Sequence, residues 1–244
     1  MPHIAEHEDA FGAALLNHVR GGPPQTLILE RDDGREFPGM APEWFFNLPA
    51  SWHAWERDAL ERLHGPVLDL GAGAGRAALA LQQRGVRATA VDNSPGAVEV
   101  CRTRGITDAR QLDFLEQLPD DQAWSAVLLL CGNLGLAGGW ENTRRLLRRL
   151  AQITSSDAVI IADTVDPTIG EDDDAREYQA RRIAAGQHVG EVGLRLKYGA
   201  HVSPWWRQIN FLRGDPPRLI ADTGWRLDDH HVDGVDHYLW LTKV

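Results

Sequence analysis

One stretch constrains this chain more than any other: Val67-Leu68-Asp69-Leu70-Gly71-Ala72-Gly73-Ala74-Gly75-Arg76, with the apolar run Ala77-Ala78-Leu79-Ala80-Leu81 directly behind it. Val67, Leu68 and Leu70 make the short apolar run that a parallel strand buried on both faces requires. The glycines let the main chain turn sharply and lie against a ligand. A helix starting at Arg76 points unpaired N–H groups and the positive end of its dipole at whatever fills that turn. Strand, glycine turn and helix in this order form a cradle for a nucleotide or cofactor.

Beyond this stretch, short apolar strands and amphipathic helices alternate as in a doubly wound α/β fold. The pattern predicts strands near Val67 to Leu70, Ala88 to Asp92, Ala109 to Leu112, Ser125 to Cys131 and Ala158 to Asp163. It predicts intervening helices from Arg76, Ser94, Phe114 and Trp140, with Ser94-Pro95 as cap and first turn. In the Trp140 helix, Leu146, Leu147, Leu150 and Ile153 form the buried stripe, and Arg144, Arg145, Arg148 and Arg149 read as a solvated face. Four segments follow: 1–54, a cap of helix and hairpin; 55–164, the Rossmann-like core; 165–214, an inserted loop, helix and β-hairpin; 215–244, a helix and an antiparallel strand pair closing the sheet. The acidic run Glu171 to Asp174 reads as the first turn of the inserted helix, where the dipole favours negative charge.

The formal net charge of −10 argues against a sequence-blind nucleic-acid surface, which needs clustered cations, and favours a small-molecule substrate. Cys101 and Cys131 form neither a disulfide framework nor a zinc set, which points to the cytoplasm. The N-terminal residues lack the cationic region of a secretory signal, and no apolar run is long enough to span a bilayer, so no membrane partner is expected.

The spacing of the glycines bears on the ligand. A dinucleotide site has G-x-G-x-x-G, whereas Gly71, Gly73 and Gly75 leave Arg76 where that pattern needs its third glycine. Asp69 precedes the turn, Asp92 and Asn93 close the second strand, and Asp113 closes the third. Carboxylates at the ends of adjacent parallel strands face the crevice where this architecture binds ligands. They suit a cation that carries a ribose diol and an adenine amino group better than they suit a pyrophosphate.

With these acids at matching intervals, Val67 to Asp113 resembles the class I S-adenosylmethionine-dependent methyltransferases. The family pattern covers roughly Trp55 to Asp163, and the last twenty residues resemble its final antiparallel pair. The resemblance implies a seven-stranded Rossmann-like sheet with an antiparallel last strand. It also implies S-adenosylmethionine as cofactor and S-adenosylhomocysteine as product. Gly71, Gly73 and Gly75 would pass beneath the methionine part with Asp69 bracing the turn, and Asp92 with Asn93 would hold the ribose. Asp113 and the Phe114 N–H would meet the adenine, and the Cys131 carbonyl the methionine amine. A nicotinamide-dependent oxidoreductase, and a binding protein for the same cofactor without catalysis, stand as alternatives.

Methyl transfer is an in-line displacement at an activated sulfonium, so alignment supplies most of the acceleration and a dedicated base is optional. Asn133, Asp163 and His201 are candidates for one, with His201 first because its ordinary pKa is near neutrality. Metal-dependent relatives place an acid after the fourth strand and Asp-Asn after the fifth. Cys131-Gly132-Asn133 and Asp163-Thr164 depart from that, so no catalytic metal is expected, and His53, His230, His231 and His237 read as structural. The Asn-Pro-Pro-aromatic signature of many nucleic-acid and protein methyltransferases is missing after the fourth strand. Trp44, Trp52, Trp205 and Trp206 are candidates for an apolar acceptor pocket. The accepting atom, O, N or C, stays open.

Overall fold

The computed structural model describes residues 4–170 and 172–244. The N-terminal segment gives helix α1 (Ala10–Val19) and a hairpin of β1 (Ile28–Arg31) and β2 (Glu36–Pro38). Two single helical turns, Pro42–Phe46 and Pro49–Ser51, then lead to α2 (Ala54–Glu61). The core alternates β3 (Val67–Leu70), α3 (Arg76–Gln83), β4 (Ala88–Asp92), α4 (Pro95–Thr103), β5 (Ala109–Gln111), β6 (Trp124–Leu129), α5 (Trp140–Ile153) and β7 (Thr154–Val165). The inserted segment holds α6 (Asp173–Ala184), β8 (Glu191–Tyr198), β9 (His201–Val202) and β10 (Trp206–Ile209). The chain closes with α7 (Pro216–Ile220), β11 (Trp225–Asp233) and β12 (Asp236–Lys243).

Seven strands form the central sheet in the order β11-β12-β7-β6-β3-β4-β5. From β7 to β5 neighbouring strands run parallel, while β12 runs against both β7 and β11. This is the Rossmann-like sheet with an antiparallel last strand that the sequence implied. The two-residue period of the strands divides the core. Leu68, Leu70, Val127 and Leu129 pack towards Leu146, Leu147 and Leu150 of α5, and Val67, Ala126 and Leu128 towards Ala77, Ala78 and Leu81 of α3.

No helix forms at Phe114. The Gln117 N–H reaches the Asp113 carbonyl at 2.9 Å, closing a single turn. Pro119 then excludes helical backbone at Leu118, so the turn cannot propagate. The arginine face of α5 is not merely solvated either. Arg144 donates to the carbonyls of Arg218 and Leu219, and Arg149 to those of Leu115 and Glu116, so the face ties α7 and the Phe114 turn to the core. Asp172 caps α6 through the Ala175 N–H, while Glu171 lies outside the described residues.

The cap and the insert share a second sheet, ordered β10-β8-β1-β2 with β9 on β8, all antiparallel. Leu29 stands opposite Leu196, and Glu30 pairs with Arg195 and Lys197 across the strands. Helix α1 joins this sheet to the core. The Asp9 carboxylate accepts from the N–H groups of Gly12 and Gly96 and from the Ser94 hydroxyl, each at 2.8 Å. Among the described residues no helix is long and apolar enough to cross a membrane.

Candidate active site

At the ends of β3, β4 and β6 the glycine turn opens a cavity of about 330 Å³ beneath α1 and the second sheet. Gly71, Gly73 and Gly75 have φ of +74°, +56° and +71°, the left-handed backbone that favours glycine. The turn is held from two sides. Asn133 Nδ2 donates to the carbonyls of Leu70 and Gly71 at 2.9 Å, and the Gly73 N–H donates to Asp92 Oδ2 at 2.8 Å. Asp92 Oδ1 accepts the Ser94 N–H at 2.9 Å. Burial pushes Asp92 up to about 6, against the pull of those two N–H groups.

Gly71, Gly73, Asp92, Asn93, Asp113, Phe114, Cys131 and Asn133 all line this cavity. Asp69 and Gly75 do not. Asp69 lies beneath the turn, where burial pushes it up to about 7 with Arg76 opposing, so it supports the cradle from below rather than facing a ligand. Gly75 begins α3 against Ile106 and Cys101.

A second cavity of about 610 Å³ adjoins the first, and Phe11, Phe45, Arg76, Cys131, Trp206 and Gln208 line both. Its own walls include Trp44, Trp52, Glu56, Asp163, Asp236 and Tyr238. Arg76 stands at the junction. Its guanidinium lies 4.6 Å from the Trp44 ring centre and 4.7 Å from that of Trp52, and Nη2 is 2.8 Å from Glu56 Oε1. Cys131 sits deep in the protein with its surface open to the cavities. It adopts φ +61° because Asp163 accepts both its N–H, at 2.8 Å, and that of Gly132, at 2.5 Å. Burial, with the charge of Asp163 behind it, pushes the Cys131 thiol up to about 12, and burial pushes Asp163 to about 6.

Several sequence expectations change here. His201 lines neither cavity, and its Nδ1 donates to the Glu6 carbonyl at 3.2 Å, so it is not placed to act as the base. Asn133 spends its amide on the glycine turn and acts as a brace. Asp163 spends both oxygens on the Cys131 loop. Trp205 points outward, 44% exposed, under the Arg195 guanidinium, whereas Trp44, Trp52 and Trp206 do line the larger cavity. His230 and His237 bond to each other, and His237 also to the Phe211 carbonyl. Among the described residues no group of three or more His, Cys, Asp or Glu is placed to hold a metal ion. Glu56 was missed, although it leads the apolar stripe of Ala59 and Leu60 on α2. A charge on that stripe requires a buried partner.

The strand order, the glycine turn and the strand-end acids have the arrangement of the class I S-adenosylmethionine-dependent methyltransferases. The comparisons agree: residues 67–157 match the family model described as a methyltransferase domain. An S-adenosylmethionine-dependent methyltransferase from Bacteroides fragilis, solved with S-adenosylhomocysteine, is 25% identical, with a TM-score of 0.82 over 100% of both chains. Two more distant structures share the fold. One is a methyltransferase from Methanosarcina mazei (12% identity, TM-score 0.62, 79% of this chain and 98% of that one). The other is the CcbJ methyltransferase from Streptomyces caelestis (16%, 0.58, 77% and 92%). No curated protein matches the chain.

Proposed function

We propose that the smaller cavity holds S-adenosylmethionine and the larger one a small-molecule acceptor, with methyl transfer across their shared wall at Arg76 and Cys131. That shared wall is the observation that carries the reading. The donor set fits the cofactor. Asp92 and Asp113 offer carboxylate oxygens, and each Asp92 oxygen keeps a lone pair for a ribose hydroxyl after its one N–H bond. Bound S-adenosylmethionine supplies an electrophilic methyl group on a sulfonium.

The chain's own part is placement. Asn133 and Asp92 fix the glycine turn from either side, and Asp163 fixes the loop whose Cys131 carbonyl faces the methionine amine. Asp113 and the Phe114 N–H take the adenine edge, held by Arg149 behind the turn. The roof covers the two cavities, and Trp44, Trp52 and Trp206 give the acceptor apolar contact. A cavity of this size suits a small molecule, and the chain's net negative charge does not suit a nucleic acid. The transfer is metal-independent on this reading, since among the described residues no group of three or more His, Cys, Asp or Glu is placed to hold a metal ion. Free cysteines and the lack of a membrane-crossing helix among the described residues fit a cytoplasmic enzyme.

Calorimetric titration with S-adenosylhomocysteine and with NAD tests the cofactor. The homocysteine derivative is expected to bind and NAD not, and binding of NAD alone would reverse the assignment. Labelled-methyl transfer to an acceptor panel is expected to proceed equally with and without EDTA. A loss of transfer that added divalent metal restores would remove metal independence.

A further inference from the structure

The larger cavity contains a buried carboxylate that the placement scheme leaves unused. Glu56 is 5% exposed, and its Oε1 sits 2.8 Å from Arg76 Nη2 as a buried ion pair. No other group donates to that oxygen. Buried carboxylate lone pairs left unmet cost free energy, and native proteins seldom leave them so without a function. The Trp44 and Trp52 rings both pack against the Arg76 guanidinium, their centres 4.6 and 4.7 Å from it, and hold it beside Glu56.

Two further acids face the same space. Asp236 has no cation within ion-pair distance among the described residues, and Asp163 is served by N–H groups alone. Of the basic side chains on this wall, Arg76 is paired with Glu56, and the His53 ring is bonded to Asp233 at 2.7 Å. The wall is therefore net acidic, with tryptophan and tyrosine rings beside the acids.

We propose that the acceptor is an amine on an apolar or aromatic body, bound as its ammonium form among these acids, and that Glu56 receives the proton the nitrogen must lose. The proposal rests on the larger cavity being the acceptor site. The step balances. The ammonium proton passes to the Glu56 carboxylate, and the freed lone pair forms the N–CH3 bond as the S–CH3 bond breaks. The S–CH3 electron pair stays on sulfur, the product leaves as a methylammonium, and Glu56 returns its proton to water. Burial holds Glu56 above the usual carboxylate range, which favours taking a proton. A carboxylate or phosphate acceptor would meet three acids, and an alcohol brings no charge to offset them.

The test is calorimetry on the full chain saturated with S-adenosylhomocysteine. The probes are phenethylamine, tryptamine, cyclohexylamine and glucosamine, each beside its matched alcohol (glucose for glucosamine) and, for the first two, the matched carboxylate. At least one amine is expected to bind about tenfold or more tighter than its counterparts, the least a charge-assisted hydrogen bond contributes. Glu56→Gln is expected to erase that preference while changing S-adenosylhomocysteine affinity by no more than about twofold. Asp236→Asn is expected to reduce the preference in part. No amine binding, an equal or tighter counterpart, or a preference that survives Glu56→Gln would overturn the proposal. Failure of the wild-type protein to bind S-adenosylhomocysteine would instead remove the cofactor assignment.

Discussion

Asp92 holds the Gly73 and Ser94 N–H groups and faces the smaller cavity, so it shapes the cradle and, in the proposed complex, meets the ligand. Asp92→Asn is expected to weaken S-adenosylhomocysteine binding by about 1.5–3 kcal/mol, the usual size of charge-assisted bonds, in a calorimetric titration. Its pKa near 6 adds a pH signature. The carboxylate must be charged to accept both hydroxyls well, so wild-type affinity is expected to fall as pH drops through about 6. The variant should lack this part of the decline. The glycines, Asp92 and Asp113 were legible in the sequence because each lies at a fixed short distance from a strand end. His201 and Trp205 were misread because His201 pairs locally with Tyr198 on β8, and β8 is itself placed by pairing with β1, as Lys197 with Ile28, which the local sequence does not show. Glu56 and Arg76 could be located, but their pairing lies across two helices and two tryptophans.

Among the elements, the cap hairpin and the inserted strands looked like separate additions in sequence, yet β1 pairs with β8 to make one roof. The roof is seated on the core where the turn Asn133–Ala137 meets β10. A Cβ on Gly135 would lie 1.9 Å from the Ile209 carbonyl oxygen, so backbone must move to admit it. Gly135→Ala is therefore expected to lower stability by about 1–3 kcal/mol in urea unfolding, the range of an overpacked site. Because β10 carries Trp206 and Gln208, acceptor binding should suffer more than S-adenosylhomocysteine binding. An unchanged unfolding midpoint would contradict this seating. The central strands were readable from their apolar runs, whereas the Phe114 helix was not excluded because the restriction comes from Pro119 acting on the residue before it.

For the whole molecule, the site sets a pH dependence of stability. Burial raises Asp69 to about 7, and Asp92 and Asp163 to about 6, from 3.8. Between roughly pH 4 and 7 the native state then holds protons that the unfolded chain has lost, and stability falls as pH rises. His230 and His237, which burial pushes down, act in the opposite sense just below pH 6.5, but the acids are moved further. The ligand-free protein is expected to have a higher urea midpoint at pH 5 than at pH 8, and the reverse order would contradict the burial of these acids.

Asp92 and Asp113, with the cavity they line, form the proposed cofactor site, and a crystal structure of the S-adenosylhomocysteine complex tests that directly. The ribose is expected against Asp92, the adenine against Asp113 and Phe114, and the sulfur at the Arg76–Cys131 wall, facing the larger cavity. Density for the ligand elsewhere, or a sulfur turned away from that wall, would contradict the two-cavity account.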